Sequence, residues 1–151
     1  MNRRDFFVST AVAGAGLAMS KMAFAKSSKA KTATNLTDAK FSTAEKSAWN
    51  CLKAAETCLA FCYRQLATGD SSMSACEDTV SNMIPVVEAL KHAVIYRTAS
   101  DDAIKSLAKT CAQFCRECES SCKEHAGHHK ECSDCAKACA ECAKACDDLV
   151  A

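Results

Sequence analysis

The sequence predicts an all-α protein, an antiparallel up-down-up-down four-helix bundle with a cysteine-lined core. Within three stretches, cysteines recur at steps of three, four or seven residues, which places their side chains on one stripe of a helix. Residues typical of helix ends separate these stretches. One spacing occurs twice, 24 residues apart, in Cys111-x3-Cys115-x2-Cys118-x3-Cys122 and Cys135-x3-Cys139-x2-Cys142-x3-Cys146.

The first helix is predicted over residues 42–68. Ser42 and Glu45 form a capping-box pattern at its start, and Gly69 follows its end. Its core-facing stripe contains Phe41, Ala44, Ala48, Cys51, Cys58, Cys62 and Leu66.

The second helix is predicted over residues 71–97, with Cys76 followed in register by apolar residues. Pro85 lies inside this range and is expected to kink or split the helix, because proline lacks the amide hydrogen that an interior position donates. Met83 is interpreted as core filler beside it.

The third and fourth helices are predicted over residues 101–126 and 129–150. Ser100 provides a cap before two acidic residues, which suit the positive end of the helix dipole. Gly127 separates the two helices. Short connections throughout favour antiparallel neighbours.

The N-terminus matches a twin-arginine signal peptide over residues 1–25. Arg3 and Arg4 precede an apolar stretch that is too short to span a bilayer, and an Ala-x-Ala cleavage pattern ends at Ala25. We therefore expect export to the periplasm or another extracytoplasmic compartment, and no membrane span in the mature chain. Residues 26–40 are expected to form a flexible tail, and residues 41–151 the bundle domain.

Composition excludes several classes of protein. The 151 residues allow one domain, and 19 basic against 18 acidic residues leave no dominant basic surface for nucleic acid. No Ser/His/Asp set, paired carboxylate site or nucleotide-binding loop is visible, so we expect the chain not to be an enzyme. Only 18 residues after position 25 are Leu, Ile, Val or Phe, so cysteine must supply much of the core.

Helix lengths predict two unlike ends of the bundle. The closed end is lined by hydrocarbon, from Phe41, Leu90, Val94, Ile104 and Leu107. The opposite end, here called the mouth, brings together Cys62, Cys76, Cys122, Cys132, Met73 and His125. The remaining histidines, His92, His128 and His129, are expected on the surface.

Thirteen thiols facing one core favour Cu(I), a soft ion that prefers thiolate and accepts two or three sulfur ligands. Bridging thiolates would bring the ratio close to one ion per cysteine. Zinc or cadmium sequestration, an iron–sulfur protein, structural disulfides and plain hydrophobic packing remain alternatives. The predicted ligands are Cys51, Cys58, Cys62, Cys76, Cys111, Cys115, Cys118, Cys122, Cys132, Cys135, Cys139, Cys142 and Cys146, with Met73 and His125 at the mouth.

The chain resembles the exported copper storage proteins of bacteria. The resemblance rests on the Arg3-Arg4 leader, Cys58-Leu-Ala-Phe-Cys62, Ser71-Ser-Met-Ser-Ala-Cys76 and the two repeated cysteine runs. It implies a homotetramer of four-helix bundles, each filled with many Cu(I) ions. It also implies a store that supplies cuproenzymes or protects against copper, with a copper chaperone or a recipient cuproenzyme as partner. Met73 falls where this family places a methionine at the mouth.

Overall fold

A computed structural model describes residues 38–151 of the chain. The helices are α1 (Asp38–Ala67), α2 (Ser74–Tyr96), α3 (Asp101–His125) and α4 (Lys130–Val150), and a short 3-10 turn (Ser71–Met73) precedes α2. The predicted signal peptide and residues 26–37 of the predicted tail lie outside the described residues. None of the described helices is long and apolar enough to cross a membrane.

The four helices form an antiparallel bundle, as the sequence predicts. Each helix packs against two neighbours, in the pairs α1–α2, α2–α3, α3–α4 and α4–α1. Small residues help the helices approach closely, since Ala48 and Ala55 of α1 and Ala108 of α3 are fully buried. This arrangement leaves one central core, towards which all four helices direct their cysteine or apolar stripes.

Helix α1 begins four residues earlier than predicted. Residues 38–40 are helical rather than part of a tail, and Ser42 lies inside the helix instead of capping it. Tertiary contacts explain the extension: Phe41 is buried, and Asp38 forms an ion pair with Arg97 from the end of α2. Local capping preference is therefore outweighed by packing against a neighbouring helix.

Helix α2 continues through Pro85, so the predicted split does not occur. The irregularity lies at its start instead, where residues 71–73 form a 3-10 turn. The Asp70 carboxylate caps this turn by accepting a hydrogen bond from the Ser72 amide at 3.0 Å. Gly69, with φ of 90°, adopts a left-handed conformation just after the end of α1 and lets the chain turn towards the 3-10 segment.

The core is divided into sulfur and hydrocarbon along its length. At the predicted closed end, Phe41, Leu90, Val94 and Ile104 are buried, and Leu107 packs partly buried against them. The guanidinium of Arg97 lies 4.5 Å from the ring centre of Phe41 and covers it from outside. The predicted hydrocarbon closure is therefore confirmed.

Candidate metal centre

All thirteen cysteines are buried and all are free thiols. A disulfide framework is therefore not what holds the bundle together. Within residues 38–151, no buried side-chain nitrogen or oxygen atom lacks a hydrogen-bond partner. Sulfur is consequently the donor atom that the core offers to a metal ion.

Near the mouth, Cys58 is the centre of a cluster. Its Sγ lies 3.9 Å from the Sγ atoms of Cys76 and Cys132, and 4.0 Å from that of Cys122. Cys76 and Cys122 are themselves 3.5 Å apart. Four helices thus contribute one thiol each to a single group.

In the middle of the core, α3 and α4 provide most of the sulfur. Cys135 lies 3.8 Å from Cys118 across the two helices and 4.0 Å from Cys139 one turn along α4. Cys51 of α1 joins them at 3.9 Å from Cys139. Because steps of three and four residues stack thiols on one face, each helix lends a continuous row.

Further along, Cys111 and Cys115 are 4.0 Å apart on α3. Across the whole core, five groups of three thiols, here called triads, have sulfur atoms within 4.8 Å of one another. They are Cys58–Cys76–Cys132, Cys58–Cys122–Cys135, Cys118–Cys135–Cys139, Cys51–Cys115–Cys142 and Cys111–Cys142–Cys146. Cys62 belongs to none of the triads.

These separations suit metal ions shared between sulfur atoms. With a metal–sulfur bond of about 2.3 Å, two ligands lie about 4.0 Å apart in a trigonal site and about 4.6 Å apart in a linear one. The observed distances of 3.5–4.0 Å require little movement to reach either geometry. Cys58, Cys135 and Cys142 each belong to two triads, the position that a bridging thiolate needs.

The thiols near the mouth differ in acidity. Hydrogen bonds from Cys122 and Cys58 lower the pKa of Cys76 to about 3. Burial, together with the negative charge on Cys76, raises the pKa of Cys62 to about 12 and that of Cys132 to about 11. At neutral pH Cys76 is therefore the thiolate among these three groups, and its negative charge favours a cation bound beside it.

The predicted mouth ligands are placed at the same end of the bundle. Met73 is 1% exposed at the start of α2, and His125 is half-buried at the end of α3. Hydrogen bonds from Ser72 lower the pKa of Asp70, and the nearby His129 and His125 side chains lower it further. Whether Met73 and His125 bind metal stays a prediction.

One mouth residue differs from expectation. His129 was predicted as a solvated loop residue, but it is half-buried, and its ring lies 4.7 Å from that of Phe61 between ring centres. Arg64 lies over the same Phe61 ring at 5.9 Å. His128 is exposed, as expected. The contact between Phe61 and His129 joins α1 to the start of α4, and the spacing of residues along the sequence does not predict it.

Met83 also has a contact that its interpretation as core filler does not include. Met83, interpreted from sequence as filler, places its Sδ 3.7 Å from the Sγ of Cys51. A signal was present in the sequence: Met83 follows Cys76 by seven residues, and Cys51 precedes Cys58 by the same number. In antiparallel helices, equal steps in opposite directions keep partners level.

The fold and its core define a class of protein: a helical bundle that binds several soft metal ions through a buried row of thiols. A model of the copper storage protein family matches residues 37–151. The chain belongs to the copper storage protein family. Among curated proteins, none matches it significantly.

Solved structures show the same fold. A copper storage protein from Streptomyces lividans, loaded with 10 copper equivalents, superposes with a TM-score of 0.71 at 23% identity, covering 78% of this chain and 88% of the other. A structure of the cytosolic copper storage protein from that organism, with five coppers, gives 0.68 at 24% identity, covering 74% and 92%. Apo copper storage protein 3 from Bacillus subtilis gives 0.62 at 24% identity, covering 73% and 98%.

The predicted export to the periplasm is wrong. The Streptomyces lividans protein to which this bundle is similar is a cytosolic copper storage protein. The leader pattern consists of three short features within residues 1–25, which lie outside the described residues.

Proposed function

We propose that this chain stores Cu(I) in its core at about one ion per cysteine. The observation that carries the proposal is a network of buried thiols along the bundle: twelve of the thirteen belong to triads whose sulfur atoms lie within 4.8 Å of one another, and the closest pairs are 3.5–4.0 Å apart. The copper-loaded state of the Streptomyces lividans protein supports copper as the stored ion. We also propose that the chain acts as a store rather than as an enzyme.

Charge balance explains how such a core accommodates many ions. Each thiol loses its proton on binding, and each Cu(I) contributes one positive charge, so equal numbers of thiolates and ions cancel. Burial then costs little, since the penalty falls on uncompensated charge. Divalent ions would leave the filled core positive unless each took two thiolates, which halves the capacity.

Copper enters and leaves through the mouth in this proposal. The closed end is sealed by hydrocarbon side chains such as Leu90, Val94 and Ile104, which offer an ion no ligand. At the mouth, Met73 and His125 offer thioether and imidazole, which bind Cu(I) less strongly than thiolate and therefore suit transfer. A copper chaperone or a recipient cuproenzyme would dock at this end.

The homotetramer implied by the family resemblance also belongs to the proposal. It is supported by large apolar side chains that remain on the surface of this single chain: Trp49, Tyr63 and Tyr96 are each more than half exposed. Sedimentation of the purified protein would measure the assembly directly.

Zinc is the competing cargo, and one observation favours it. Cys58, Cys76, Cys122 and Cys132 gather four thiols at one place, the number that a tetrahedral zinc site requires. An anaerobic exchange experiment decides between the metals. The protein is loaded with Zn(II), and Cu(I) is then added in the presence of a coloured zinc indicator.

We expect Cu(I) to release all the zinc, because thiolate ligands favour the softer ion. Zinc that stays bound against a moderate excess of Cu(I) would contradict storage of copper as the function. A brown chromophore in the isolated protein would instead indicate an iron–sulfur cluster.

A further inference from the structure

Helix α2 contributes two sulfur atoms to the core, one from Cys76 and one from Met83. The Met83 side chain is fully buried, and its Sδ lies 3.7 Å from the Sγ of Cys51. Cys51 in turn forms a triad with Cys115 and Cys142. The thioether therefore stands beside a group of three thiols near the middle of the core.

The position of Met83 follows from the way α1 and α2 pair. Cys58 and Cys76 face each other at 3.9 Å. Seven residues, or about 10.5 Å, further from the mouth, Cys51 and Met83 face each other at nearly the same separation. The thioether thus occupies the level at which a second α2 cysteine would lie.

Beyond this level, α1 and α2 contribute only hydrocarbon. Another seven residues along each helix bring Ala44 and Leu90, both buried. The change from sulfur to hydrocarbon on this side of the core thus falls immediately after Met83, whereas α3 and α4 continue one turn further with Cys111 and Cys146. Met83 is the last sulfur donor of the α1–α2 half.

We propose that Met83 Sδ is a Cu(I) ligand, sharing with Cys51 an ion held in the Cys51–Cys115–Cys142 triad. This proposal rests on the storage of Cu(I) proposed above. A separation of 3.7 Å is close to the roughly 3.8 Å between two sulfur ligands of a four-coordinate ion with metal–sulfur bonds of about 2.3 Å. A thioether adds a soft ligand without adding charge, so the balance between thiolates and ions is preserved.

The test uses the full chain labelled with selenomethionine, loaded anaerobically with Cu(I) and studied by X-ray absorption at the selenium edge. Two variants are compared: Met73→Leu, and Met73→Leu combined with Met83→Leu. Leucine matches methionine closely in volume, so the core should repack at a cost below about 1.5 kcal/mol. The other methionines contribute equally to both samples, and the difference isolates position 83.

We expect the single variant to show a copper–selenium distance on the order of 2.4 Å, slightly longer than a metal–sulfur bond of about 2.3 Å. The double variant should lose this shell while still binding about as many Cu(I) ions, within one. Equal spectra from both variants, at full copper loading, would overturn the role of Met83 and leave copper storage intact. A chain that binds no Cu(I) tightly would overturn both proposals.

A second variant guards against a folding defect. If circular dichroism shows that Met83→Leu disturbs the helices, Met73→Leu combined with Met83→Cys replaces it, because this change removes selenium and keeps a sulfur ligand. Loss of the copper–selenium shell with retained capacity supports the proposal in either background. Persistence of the shell after both substitutions refutes it.

Discussion

Replacing Cys58 with alanine removes the thiol near the mouth that has three close sulfur neighbours and also belongs to two triads. Its Sγ lies within 4.0 Å of Cys76, Cys122 and Cys132, and it belongs to two triads. Cys111, at the far end of the sulfur row, is equally buried but belongs to one triad only. Cys111→Ala is therefore the matched control.

The expected loss of Cu(I) capacity depends on whether each thiolate binds one ion or bridges two. If Cu(I) ions were each bound by an independent cysteine, both variants would lose one ion. If thiolates bridge ions, Cys58→Ala removes a ligand from two triads and lowers the capacity by about two ions, whereas Cys111→Ala lowers it by about one. Each substitution deletes one buried sulfur atom, which costs about 1 kcal/mol of folding free energy.

The assay is anaerobic loading with excess Cu(I), removal of weakly bound ions by gel filtration, and measurement of copper and protein in the same fraction. Circular dichroism of each apo variant verifies that the helices are intact. Equal losses from Cys58→Ala and Cys111→Ala would refute the bridging arrangement. A loss of more than about four ions in helical Cys58→Ala would mean that the whole cluster depends on one residue, which the triads do not predict.

Further predictions concern pH, the closed end, the mouth and the apo state. The raised pKa values of Cys62 and Cys132, about 12 and 11, keep both thiols protonated at neutral pH, so Cu(I) must displace their protons. Chelator competition should therefore show affinity at the mouth rising with pH between 6 and 9, by up to about tenfold per unit for each proton, and a flat profile would contradict this. Leu90→Ala should cost about 2–5 kcal/mol in urea denaturation without changing capacity; a stability loss below about 1 kcal/mol would contradict the closed end. Met73→Ala with His125→Ala should slow stopped-flow copper exchange and lower capacity by no more than about two ions, while unchanged rates would place the entry elsewhere. Reduced apo-protein should be strongly helical by circular dichroism, and a coil spectrum that becomes helical only on loading would be contrary evidence.

The sequence allowed the helices and the sulfur lining to be predicted because both follow from local periodicity. Steps of three and four residues determine which side of a helix is buried, and all thirteen cysteines are buried as that rule requires. The ends of the bundle were also correctly assigned, since a fixed rise per residue converts sequence position into depth.

Features that depend on contacts between helices were harder to foresee. The early start of α1 depends on Asp38 pairing with Arg97, and the ring contact of His129 depends on Phe61 from another helix. The proximity of Met83 to Cys51 depends on the relative register of α1 and α2, which single-helix patterns leave undetermined.

The leader pattern illustrates a different limit of sequence reasoning. A signal peptide acts by being recognised by the export machinery, and its residues need not pack against the folded domain. This applies to Arg3-Arg4, the short apolar stretch and the Ala-x-Ala pattern. The fold offers no physical check on such a pattern, and the comparison with a cytosolic protein of the same fold contradicted the expectation drawn from it.

Anaerobic titration of the reduced full chain with Cu(I), against a competing chelator, measures the capacity of the core. We expect tight binding that saturates at about 13 ions per chain, one for each cysteine. Saturation at three or four ions, with the remaining thiols still free to react, would show that the core holds isolated sites rather than a continuous store.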